Sequence, residues 1–421
     1  MEYRSYNAKS FTKHPLVAKH LIPKEIEEIR IVAQVFPFKV NNYVIEKLID
    51  WQNYKEDPLF RLTFPHKDML EPEDFAKIED AMEDPDRRKK VIEQIRLKLN
   101  PHPAGQLSNV PRIGEKKLEG SQHKYRETIL FFPKQGQTCH AYCTFCFRWP
   151  QFVGMDELKF ASKEVELLID YVKAHPEITD VLFTGGDPLI MSTKLLRAYI
   201  EPLIEAKIPN LKNIRIGTKT LGFWPYRFTK DKDAEDLLML FKKIKEAGYH
   251  LAIMAHFNHY AELKTGEVKE AVARIKESGA IIRTQSPILR HINDSAEVWA
   301  TMWKEQVALD MIPYYMFLAR DTGAQHYFGV PLAKAWEIYR DAISQVSGLA
   351  RTVRGPSMSA TPGKVAVVGV SDIGGEKVFV LNMLQSKNPD LVDRPFFAKF
   401  DPEALWLEDL EPALSDKFIF E

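Results

Sequence analysis

Three cysteines, Cys139, Cys143 and Cys146, are the residues of this sequence most suited to chemistry, and they are all the cysteines of its 421 residues. Their CxxxCxxC spacing gathers three thiolates, and no fourth cysteine completes the set. Iron–sulfur clusters with four cysteine ligands are closed, so a 4Fe–4S cluster held by three leaves one iron open to another molecule. The spacing therefore favours a cluster with an open iron.

Two other interpretations fit the same spacing. A zinc ion usually takes four tetrahedral ligands, and His140 or a distant residue could complete a zinc site with the three cysteines. Free cysteines are also often buried as small apolar residues. Spacing alone excludes neither interpretation.

Composition sets the broad class of protein. The chain is 45% hydrophobic and 28% charged, and its formal net charge is zero, as is ordinary for a soluble globular protein. No overall field favours nucleic acid or a membrane surface. The first residues lack the apolar core of a signal peptide, no run is long enough for a transmembrane helix, and unpaired cysteines indicate a reducing compartment. We expect a cytoplasmic protein.

Apolar spacing divides the chain into three parts. Residues 1–125 form a helical region, with helix-like spacing at 26–32, 44–51, 72–82 and 85–99 and a loop over 107–122. Residues 126–350 alternate short apolar runs with amphipathic helices. Residues 351–421 form a small α+β extension, in which a turn-rich loop at 355–364 precedes strands at 365–370 and 377–384.

The central part predicts the architecture. Strands are expected at 128–132, 180–183, 213–217, 250–255, 280–285 and 312–317, and helices at 163–174, 193–206, 233–247, 268–277, 296–309 and 333–346. Alternating strands and helices indicate an α/β fold with a parallel sheet. Six units are fewer than the eight of a closed TIM barrel, so we predict a partial (β/α)6, TIM-like barrel. Catalytic groups should follow the carboxyl ends of its strands, as the three cysteines follow the first.

A second motif follows the second predicted strand. Thr184, Gly185, Gly186 and Asp187 form a turn in which two glycines let the backbone approach a ligand closely. One βα unit after CxxxCxxC, this turn resembles the S-adenosylmethionine (SAM) site of the radical SAM enzymes. The resemblance implies that the open iron binds SAM and that an electron from the cluster cleaves SAM to a 5′-deoxyadenosyl radical. It also implies an electron donor such as flavodoxin or ferredoxin.

Further motifs narrow the resemblance to the lysine 2,3-aminomutase family of radical SAM, pyridoxal-phosphate (PLP) enzymes. They span about residues 55–370 and comprise Asp57-Pro-Leu-Phe60, Asn100-Pro-His-Pro-Ala-Gly-Gln106, Phe183-Thr-Gly-Gly-Asp187, His256-Phe-Asn-His259, Thr284-Gln-Ser286, Asn293-Asp294, Pro313-Tyr-Tyr315 and a Pro-Gly-Lys loop ending at Lys364. The resemblance implies an isomerase that moves the α-amino group of an amino acid to the β-carbon. His256 and Gln285 match residues that line the SAM pocket.

The resemblance also implies a PLP site. Lys364 matches the lysine that holds PLP as an imine and releases it to the substrate amine. Lys124 and Tyr125 match an Arg-Tyr pair beside the PLP phosphate, and Thr128 stands where the family has a further arginine. Lysine can neutralise a phosphate but lacks the arginine fork, so we expect an altered phosphate site. Arg148 matches the arginine that pairs with the substrate carboxylate.

The pocket for the substrate side chain departs from the lysine enzymes of the family. Their two aspartates match Arg320 and Ser357 here, although a shift of one residue would bring in Asp321. An inward Arg320 would repel a lysine side chain and favour an anionic or neutral one, such as that of glutamate. The chain also lacks the extra C-terminal cysteines that bind structural zinc in those enzymes, so we predict no zinc.

The sequence leaves three candidate functions. The first is a PLP-dependent amino-acid 2,3-aminomutase with a small-molecule amino-acid substrate. The second is a radical SAM enzyme without PLP that modifies a protein lysine or another substrate. The third is a scaffold stabilised by zinc or by a cluster. The helical first part and the C-terminal tail offer interface material, so we expect a homo-oligomer.

Overall fold

The computed structural model describes residues 1–100, 109–154 and 161–421, so the motif at 100–106 lies outside it except for Asn100. The first part of the chain contains the short antiparallel strands β1 (Ser5–Asn7) and β2 (Lys39–Asn41). Its helices are α1 (Pro15–His20), α2 (Pro23–Val35), α3 (Pro58–Thr63), α4 (Pro72–Asp80) and α5 (Pro85–Lys98). The helices expected at 26–32, 72–82 and 85–99 are confirmed, and 44–51 contains a π-helical turn over Val44–Leu48.

The rest of the chain builds a mixed α/β structure. Its strands are β3 (Arg112–Ile113), β4 (Lys116–Lys117), β5 (Ser121–Tyr125), β6 (Thr128–Phe131), β7 (Asp180–Phe183), β8 (Asn213–Thr218), β9 (His250–His256), β10 (Ile281–Pro287), β11 (Ile312–Phe317), β12 (Arg354–Ala360), β13 (Gly363–Ile373), β14 (Glu376–Gln385) and β15 (Pro395–Lys399). Its helices are α6 (Trp149–Phe152), α7 (Val165–Ala174), α8 (Thr193–Glu205), α9 (Thr220–Phe223), α10 (Ala234–Glu246), α11 (Gly266–Glu277), α12 (Ala296–Ala308), α13 (Gln325–Phe328) and α14 (Leu332–Ser344). The six strands and six helices expected in the central part are confirmed to within two residues at each end.

Eleven strands form one sheet in the order β15-β14-β13-β12-β11-β10-β9-β8-β7-β6-β5. Strands β6 to β12 run parallel to their neighbours, whereas β5 at one end and β13 to β15 at the other are antiparallel. Parallel neighbours need a crossover connection, and α7, α8, α10, α11, α12 and α14 lie in those connections. The carboxyl ends of the parallel strands therefore meet at one edge of the sheet.

Local signals define the ends of these helices. At the start of α11 the Thr265 hydroxyl accepts a hydrogen bond from the Val268 N–H, which satisfies a backbone donor that has no partner inside the helix. Just beyond its end, Gly279 has a φ of +83°, a conformation that glycine adopts without strain. Among the described helices, none has both the length and the apolar character needed to cross a membrane.

The two faces of the parallel strands differ in chemistry. Ile129, Phe131 and Ile214 belong to the large apolar core that the sheet forms with its helices. Successive strand residues point to opposite faces, so the intervening residues, which include Thr128, Asp180, Arg215, Arg283 and Gln285, lie on the other face. We call this polar face, opposite the helices, the inner face.

The segment expected to be a turn-rich loop at 355–364 is mostly strand, so that prediction was wrong. Residues Arg354–Ala360 form β12 beside β11, and a short turn leads into β13, where Lys364 lies. Gly, Pro, Ser and Thr usually mark turns, but tertiary pairing overrides them here. A Cβ on Gly355 (φ +148°) would lie 2.3 Å from the Met316 carbonyl oxygen, so the close approach of β12 to β11 requires glycine.

The loop expected at 107–122 is also partly strand. Strands β3 and β4 form a small antiparallel pair within it, and β5 begins at Ser121. Only two residues separate β5 from β6, so the first parallel strand is preceded by an antiparallel neighbour at the end of the sheet.

The N-terminal region packs on the carboxyl edge of the sheet through a second apolar core. This core joins Val32 and Leu62 with Trp149, Trp224 and Leu289, which belong to segments that follow β6, β8 and β10. The first hundred residues therefore cover the edge at which catalytic groups of parallel α/β proteins are expected.

Candidate active site

The loop that carries the three cysteines is held by the N-terminal region. The Tyr142 N–H donates to the Lys39 carbonyl (2.8 Å), and the Thr144 N–H donates to the Leu62 carbonyl (2.9 Å). The Lys39 Nζ in turn donates to the carbonyl oxygen of Cys139 (2.7 Å). These bonds fix the backbone of the loop without using a thiol, so the cysteine side chains remain available to a ligand.

The three thiols share one electrostatic environment. Burial raises the pKa of Cys139, Cys143 and Cys146, and that of Cys139 is raised further by Asp187 and by the other two cysteines. Such mutual effects require the thiols to lie near one another. Within the described ranges, no three His, Cys, Asp or Glu side chains converge tightly enough to hold a single metal ion. A cluster takes each cysteine on a different iron atom, so its ligands need not converge on one point.

His140, the nearest candidate for a fourth ligand, is engaged in the protein's own hydrogen bonds. Its Nδ1 lies 3.0 Å from the Thr220 Oγ1, and burial lowers its pKa to about 3. Its carbonyl oxygen accepts hydrogen bonds from the Tyr3 hydroxyl (2.9 Å) and from the Asn41 Nδ2 (3.3 Å). His140 thereby connects the cysteine loop to the segment after β8 and to the N-terminal region.

The glycine turn after β7 lies directly against the cysteine loop. The Asp187 N–H donates to the Thr138 carbonyl (2.8 Å). The buried Asp187 carboxylate accepts hydrogen bonds from residue 189 and from residues 218–220, all at 2.8–3.0 Å. The Asp187 side chain therefore fixes the turns after β7 and β8. Because it is occupied in this way, a ligand at the glycine turn would contact the backbone of the turn.

Replacing Gly186 by alanine should destabilise the protein and reduce the iron it binds. The added Cβ would lie 2.5 Å from the backbone nitrogen of Thr138 and 2.6 Å from its carbonyl oxygen, and backbone atoms cannot move aside as a flexible side chain would. We expect a loss of about 1–3 kcal/mol in the free energy of unfolding, measured by denaturant unfolding of the protein before iron is added.

Gly266→Ala is the matched control for this change. A Cβ at Gly266 would meet nothing within 4 Å, and alanine favours the helix that begins there. If Gly186→Ala were as stable as this control and bound as much iron, the contact between the glycine turn and the cysteine loop would be unimportant.

His256 and Gln285 lie near the ends of β9 and β10, where they are paired in register. The His256 ring centroid is 5.8 Å from that of Phe145, which lies in the cysteine loop. Its Nε2 is buried and makes no hydrogen bond within the described residues, and burial lowers its pKa well below the usual value. A buried polar atom without a partner costs free energy, so this nitrogen is suited to a polar ligand beside the cysteine loop.

Lys364 lies near the start of β13 with its ammonium among aromatic rings. Its Nζ is 3.9 Å from the ring centroid of Tyr315, 5.1 Å from that of Tyr125 and 5.3 Å from that of Phe317. The side chain is only 8% exposed. Burial of this kind opposes the charged form of a lysine.

The neighbouring charges that most affect the pKa of Lys364 are positive, like the lysine itself. Burial first, and then Arg215, Arg354 and Lys124, lower its pKa well below the value of a free lysine. A lowered pKa increases the fraction of a lysine that is present as the neutral, nucleophilic amine at a given pH. Lys364 is therefore suited to condense with an aldehyde.

Lys124 and Tyr125, both in β5, reach the strand that pairs with Lys364. The Lys124 Nζ donates to the Ser359 carbonyl (3.1 Å), and the Tyr125 hydroxyl lies 2.9 Å from the Ser359 hydroxyl. Ser359 is the register partner of Lys364. Burial, and then Arg320, lower the pKa of Lys124 to about 7. The structure thus brings together the residues predicted to hold the two ends of PLP.

Arg148 is buried two residues beyond the last cysteine. Its guanidinium carbon lies 4.2 Å from the ring centroid of Phe132 and 5.3 Å from that of Phe147. Its Nη1 is buried and makes no hydrogen bond within the part of the chain that is described. Burial lowers the pKa of Arg148 to about 10; Cys146 raises this pKa and Arg320 lowers it. The side chain therefore stays charged at neutral pH. It presents an unused donor to an anion.

Arg320 and Asp321 follow β11 and lie beside the same group of side chains. The Arg320 guanidinium carbon is 5.4 Å from the ring centroid of Phe147, and its Nε lies 3.5 Å from the Asp321 Oδ1. Ser357 is different, because it is buried and its hydroxyl donates to the Met316 carbonyl (3.3 Å). Arg320, Asp321 and Ser357 were predicted to contact the substrate side chain. Of these three residues, Ser357 has its hydroxyl hydrogen-bonded within the sheet.

Comparison with known proteins places this chain in a family. No family model matches it. A protein of Aquifex aeolicus (strain VF5), provisionally named L-lysine 2,3-aminomutase, is 31% identical over 386 residues, which cover 92% of this chain and 91% of the relative. The chain belongs to the lysine 2,3-aminomutase family. The L-lysine 2,3-aminomutase of Methanococcus maripaludis is 26% identical over 404 residues (92% and 83% of the two chains), and that of Haemophilus influenzae is 27% identical over 354 residues (83% and 91%).

The family resemblance drawn from the motifs is therefore confirmed.

Sequence analysis of this lysine 2,3-aminomutase family member did not identify four charged residues near the candidate site. On the inner face, the Arg215 Nε lies 2.8 Å from the Asp180 Oδ1. In the segments that follow β8 and β9, Lys219 and Glu262 form a buried ion pair, and Lys219 lowers the otherwise raised pKa of Cys143. The sequence did contain a signal for Arg215, because a charged residue stands between two apolar residues of a strand, Ile-Arg-Ile at 214–216.

Proposed function

We propose that this chain is a radical SAM, PLP-dependent amino-acid 2,3-aminomutase. The observation that carries the proposal is the closeness of the residues predicted for the cluster and for PLP. The guanidinium carbons of Arg148 and Arg320 lie 5.3 Å and 5.4 Å from the ring centroid of Phe147, next to the last cysteine. Arg320 also lowers the pKa of Lys124, which donates to Ser359, the register partner of Lys364. These contacts support one site for both cofactors. The names of the relatives, L-lysine 2,3-aminomutase, support the same class of reaction.

We also propose that the parallel strands close partly, as a (β/α)6, TIM-like barrel. Strands β5 and β12 are seven steps apart in the sheet order, which in a flat sheet would separate them by roughly 34 Å at about 4.8 Å per step. The Lys124 Nζ of β5 nevertheless lies 3.1 Å from the Ser359 carbonyl oxygen of β12. Strong curvature of the sheet, with the inner face enclosed, accounts for this contact.

In this proposal the three cysteines hold a 4Fe–4S cluster, and the Gly186 backbone, His256 and Gln285 contribute to a SAM site. The unpartnered His256 Nε2 and the close approach of Gly186 to the cysteine loop fit such ligands. Together the cluster and SAM supply a hydrogen-abstracting radical once a redox protein such as flavodoxin or ferredoxin donates an electron. The N-terminal core covers this edge and keeps water away from it.

Lys364 is the residue proposed to hold PLP, which supplies the aldehyde and the ring that carry the migrating amino group. Burial and the neighbouring cations lower the pKa of Lys364, which favours the neutral amine that attaches the cofactor and yields it to the substrate amine. The rings of Tyr125, Tyr315 and Phe317 exclude water around that nitrogen. Arg148 binds the substrate carboxylate through its unused Nη1 and thereby fixes the orientation of the amino acid.

The substrate we propose has an anionic or neutral side chain, as glutamate does. Arg320 adds a second guanidinium near Arg148, and the pKa of Arg148 is lowered by it. Two guanidinium groups disfavour an ammonium side chain, whereas each can pair with one carboxylate of a dicarboxylic amino acid. Asp321 lies 3.5 Å from the Arg320 Nε and offsets part of this positive charge.

An anaerobic product assay tests the proposal. The protein is reconstituted with iron and sulfide, supplied with PLP, SAM and dithionite, and incubated with the twenty amino acids pooled. Mass spectrometry then identifies β-amino acids. β-Glutamate, or the β-isomer of another amino acid with an anionic or neutral side chain, supports the proposal, and β-lysine would show that Asp321 selects a basic substrate instead. Cleavage of SAM without any β-amino acid would favour the second candidate, a PLP-independent radical SAM enzyme.

Arg320→Gln should lower kcat/KM for a dicarboxylic substrate by about 10- to 100-fold, because a charge-assisted hydrogen bond to a carboxylate contributes roughly 1.5–3 kcal/mol. The preference for glutamate over lysine, measured as the ratio of their kcat/KM values, should fall with it. Arg340→Gln is the control, since it removes an exposed arginine from α14 that pairs with Asp341. An unchanged ratio in Arg320→Gln would remove Arg320 from substrate selection.

A further inference from the structure

Arg215 is a charged residue of the inner face whose orientation is fixed from two sides. Its Nε pairs with the Asp180 Oδ1 (2.8 Å), and its Nη2 donates to the Thr128 hydroxyl (3.3 Å). Its side chain keeps 16% of its exposure, and that of Asp180 keeps 15%. Within the described chain no hydrogen bond of the Arg215 Nη1 accompanies these two, so one edge of a rigidly held guanidinium faces the inner side of the sheet.

A second guanidinium supports the same positive region. The Arg354 guanidinium carbon lies 4.7 Å from the ring centroid of Tyr314 and 4.6 Å from that of Tyr315. Tyr315 is also the ring nearest to the Lys364 Nζ. Arg215 and Arg354 are the two strongest charges acting on Lys364. Arg215 is also connected to the surroundings of Lys364 by contacts, because Thr128, which it binds, is the register partner of Tyr125, and the Tyr125 ring centroid lies 5.1 Å from the Lys364 Nζ.

Lys124 alone would neutralise a phosphate poorly. Its Nζ already donates to the Ser359 carbonyl, and its pKa of about 7 leaves it partly uncharged at neutral pH. An arginine, by contrast, stays charged and offers a planar set of donors that matches phosphate oxygens. A guanidinium held in advance by Asp180 and Thr128 also loses little conformational freedom when it binds.

We propose that Arg215 is a phosphate-binding residue: held by Asp180 and Thr128, it presents its Nη1 to the phosphate monoester of the cofactor carried by Lys364, and Arg354 adds positive charge to the same region. This inference rests on the proposed function, because it requires PLP at Lys364. It assigns the phosphate to β8 and the start of β12 in addition to Lys124 of β5.

The test compares two aldehydes, PLP and pyridoxal, which differ only in the phosphate. The full-length protein is titrated with each, binding is followed by absorbance, and the aldehyde is trapped on Lys364 with borohydride and located by mass spectrometry. This readout needs no SAM, electron donor or turnover. Two variants are measured: Arg215→Lys, which keeps a point charge, and the double variant Asp180→Asn/Arg215→Gln, which replaces the ion pair by a neutral one.

The wild-type protein should prefer PLP to pyridoxal, and the double variant should lose about 10- to 100-fold in PLP affinity, the range expected for a charge-assisted hydrogen bond, with pyridoxal affinity unchanged. Arg215→Lys should lie between the two. Arg283→Gln, which removes another arginine of the inner face, one that lies over Tyr314, is the matched control and should retain the preference.

Three results would overturn the assignment, and they are distinguishable. A preference for PLP that survives in both Arg215 variants would remove Arg215 from the phosphate site and leave the proposed function intact. An equal loss of PLP and pyridoxal affinity would mean that the variants only disturb the sheet. A wild-type protein that traps neither aldehyde on Lys364 would overturn the proposed use of PLP and this inference with it.

Discussion

Replacing Cys143 by alanine should abolish cluster binding and all radical chemistry. The variant keeps only two of the three cysteines proposed to bind the cluster, and two thiolates are too few to hold it. Iron and sulfide per chain should therefore fall to background after reconstitution. The visible absorbance of the cluster should disappear with them. Activity should fall by at least about 10⁶-fold, the lower end of enzymatic rate accelerations, because no electron can reach SAM.

The variant should nonetheless fold. The loop backbone around this position is held by the bonds from Tyr142 to Lys39 and from Thr144 to Leu62, and neither uses a thiol. Circular dichroism and denaturant unfolding should therefore resemble those of the wild-type protein without iron. Full iron content in Cys143→Ala would refute the assignment of this residue as a ligand.

Tyr142→Phe is the matched control within the same loop. It removes the hydroxyl that lies 2.9 Å from the Thr138 Oγ1 but leaves all three thiols and the backbone bonds in place. We expect this variant to bind iron as the wild type does, which separates loss of a ligand from general disturbance of the loop.

Replacing Lys364 by methionine should remove covalent attachment of PLP and reduce aminomutase activity by at least about 10²–10⁴-fold, a range typical of losing a positioned reactive side chain. Methionine is similar in length and apolar, so it should pack among Tyr125, Tyr315 and Phe317 as the lysine stem does. Borohydride trapping and the absorbance of the bound cofactor report attachment, and SAM cleavage without substrate turnover reports the cluster separately.

Lys377→Met is the matched control for this change. The Lys377 Nζ lies 3.9 Å from the ring centroid of Phe400, the same distance as that of Lys364 from Tyr315, but Lys377 is exposed on β14. We expect the control to trap PLP as the wild type does. Undiminished turnover in Lys364→Met would show that PLP is not used and would favour the PLP-independent candidate.

The lowered pKa of Lys364 also predicts the pH dependence of attachment. Only the neutral amine attacks an aldehyde, and a free lysine is protonated below about pH 10.4. Burial and neighbouring cations lower the pKa of Lys364, so attachment should persist at pH values at which a free lysine reacts slowly. The rate of trapping is measured across pH, with N-acetyl-lysine as reference. As the pH is lowered, the rate for the protein should begin to fall at a lower pH than the rate for the reference.

Local patterns were sufficient for the parallel part of the fold. Each of its first six strands is a short apolar run, and each following helix has an apolar stripe that packs on the sheet, so burial of one face was visible in the order of residues. The cysteine loop was recognisable for a similar reason, because its three cysteines lie within eight residues. Lys364 was selected as a candidate through its motif, although its surroundings were expected to be a loop.

The tertiary structure alone decided what surrounds these residues. Strand β12 has the composition of a turn and becomes a strand because β11 and β13 pair with it on its two sides. Arg215 meets Thr128, 87 positions earlier in the chain, and Lys124 meets Ser359, 235 positions later. Contacts between such distant positions leave no periodic signal in the sequence, since they depend on how distant strands meet in the fold and not on local burial.

The sequence by itself therefore determined the family, the alternating strands and helices, and the residue types that could hold a cluster and an aldehyde cofactor. The structure decided what surrounds the candidate residues: Arg148 and Arg320 both lie beside Phe147, the Lys364 ammonium lies against Tyr315, and the N-terminal region covers the carboxyl edge of the sheet. The physical reason is that residue type and local period are set along the chain, whereas burial, charge and close approach at the site arise from segments that meet only after folding.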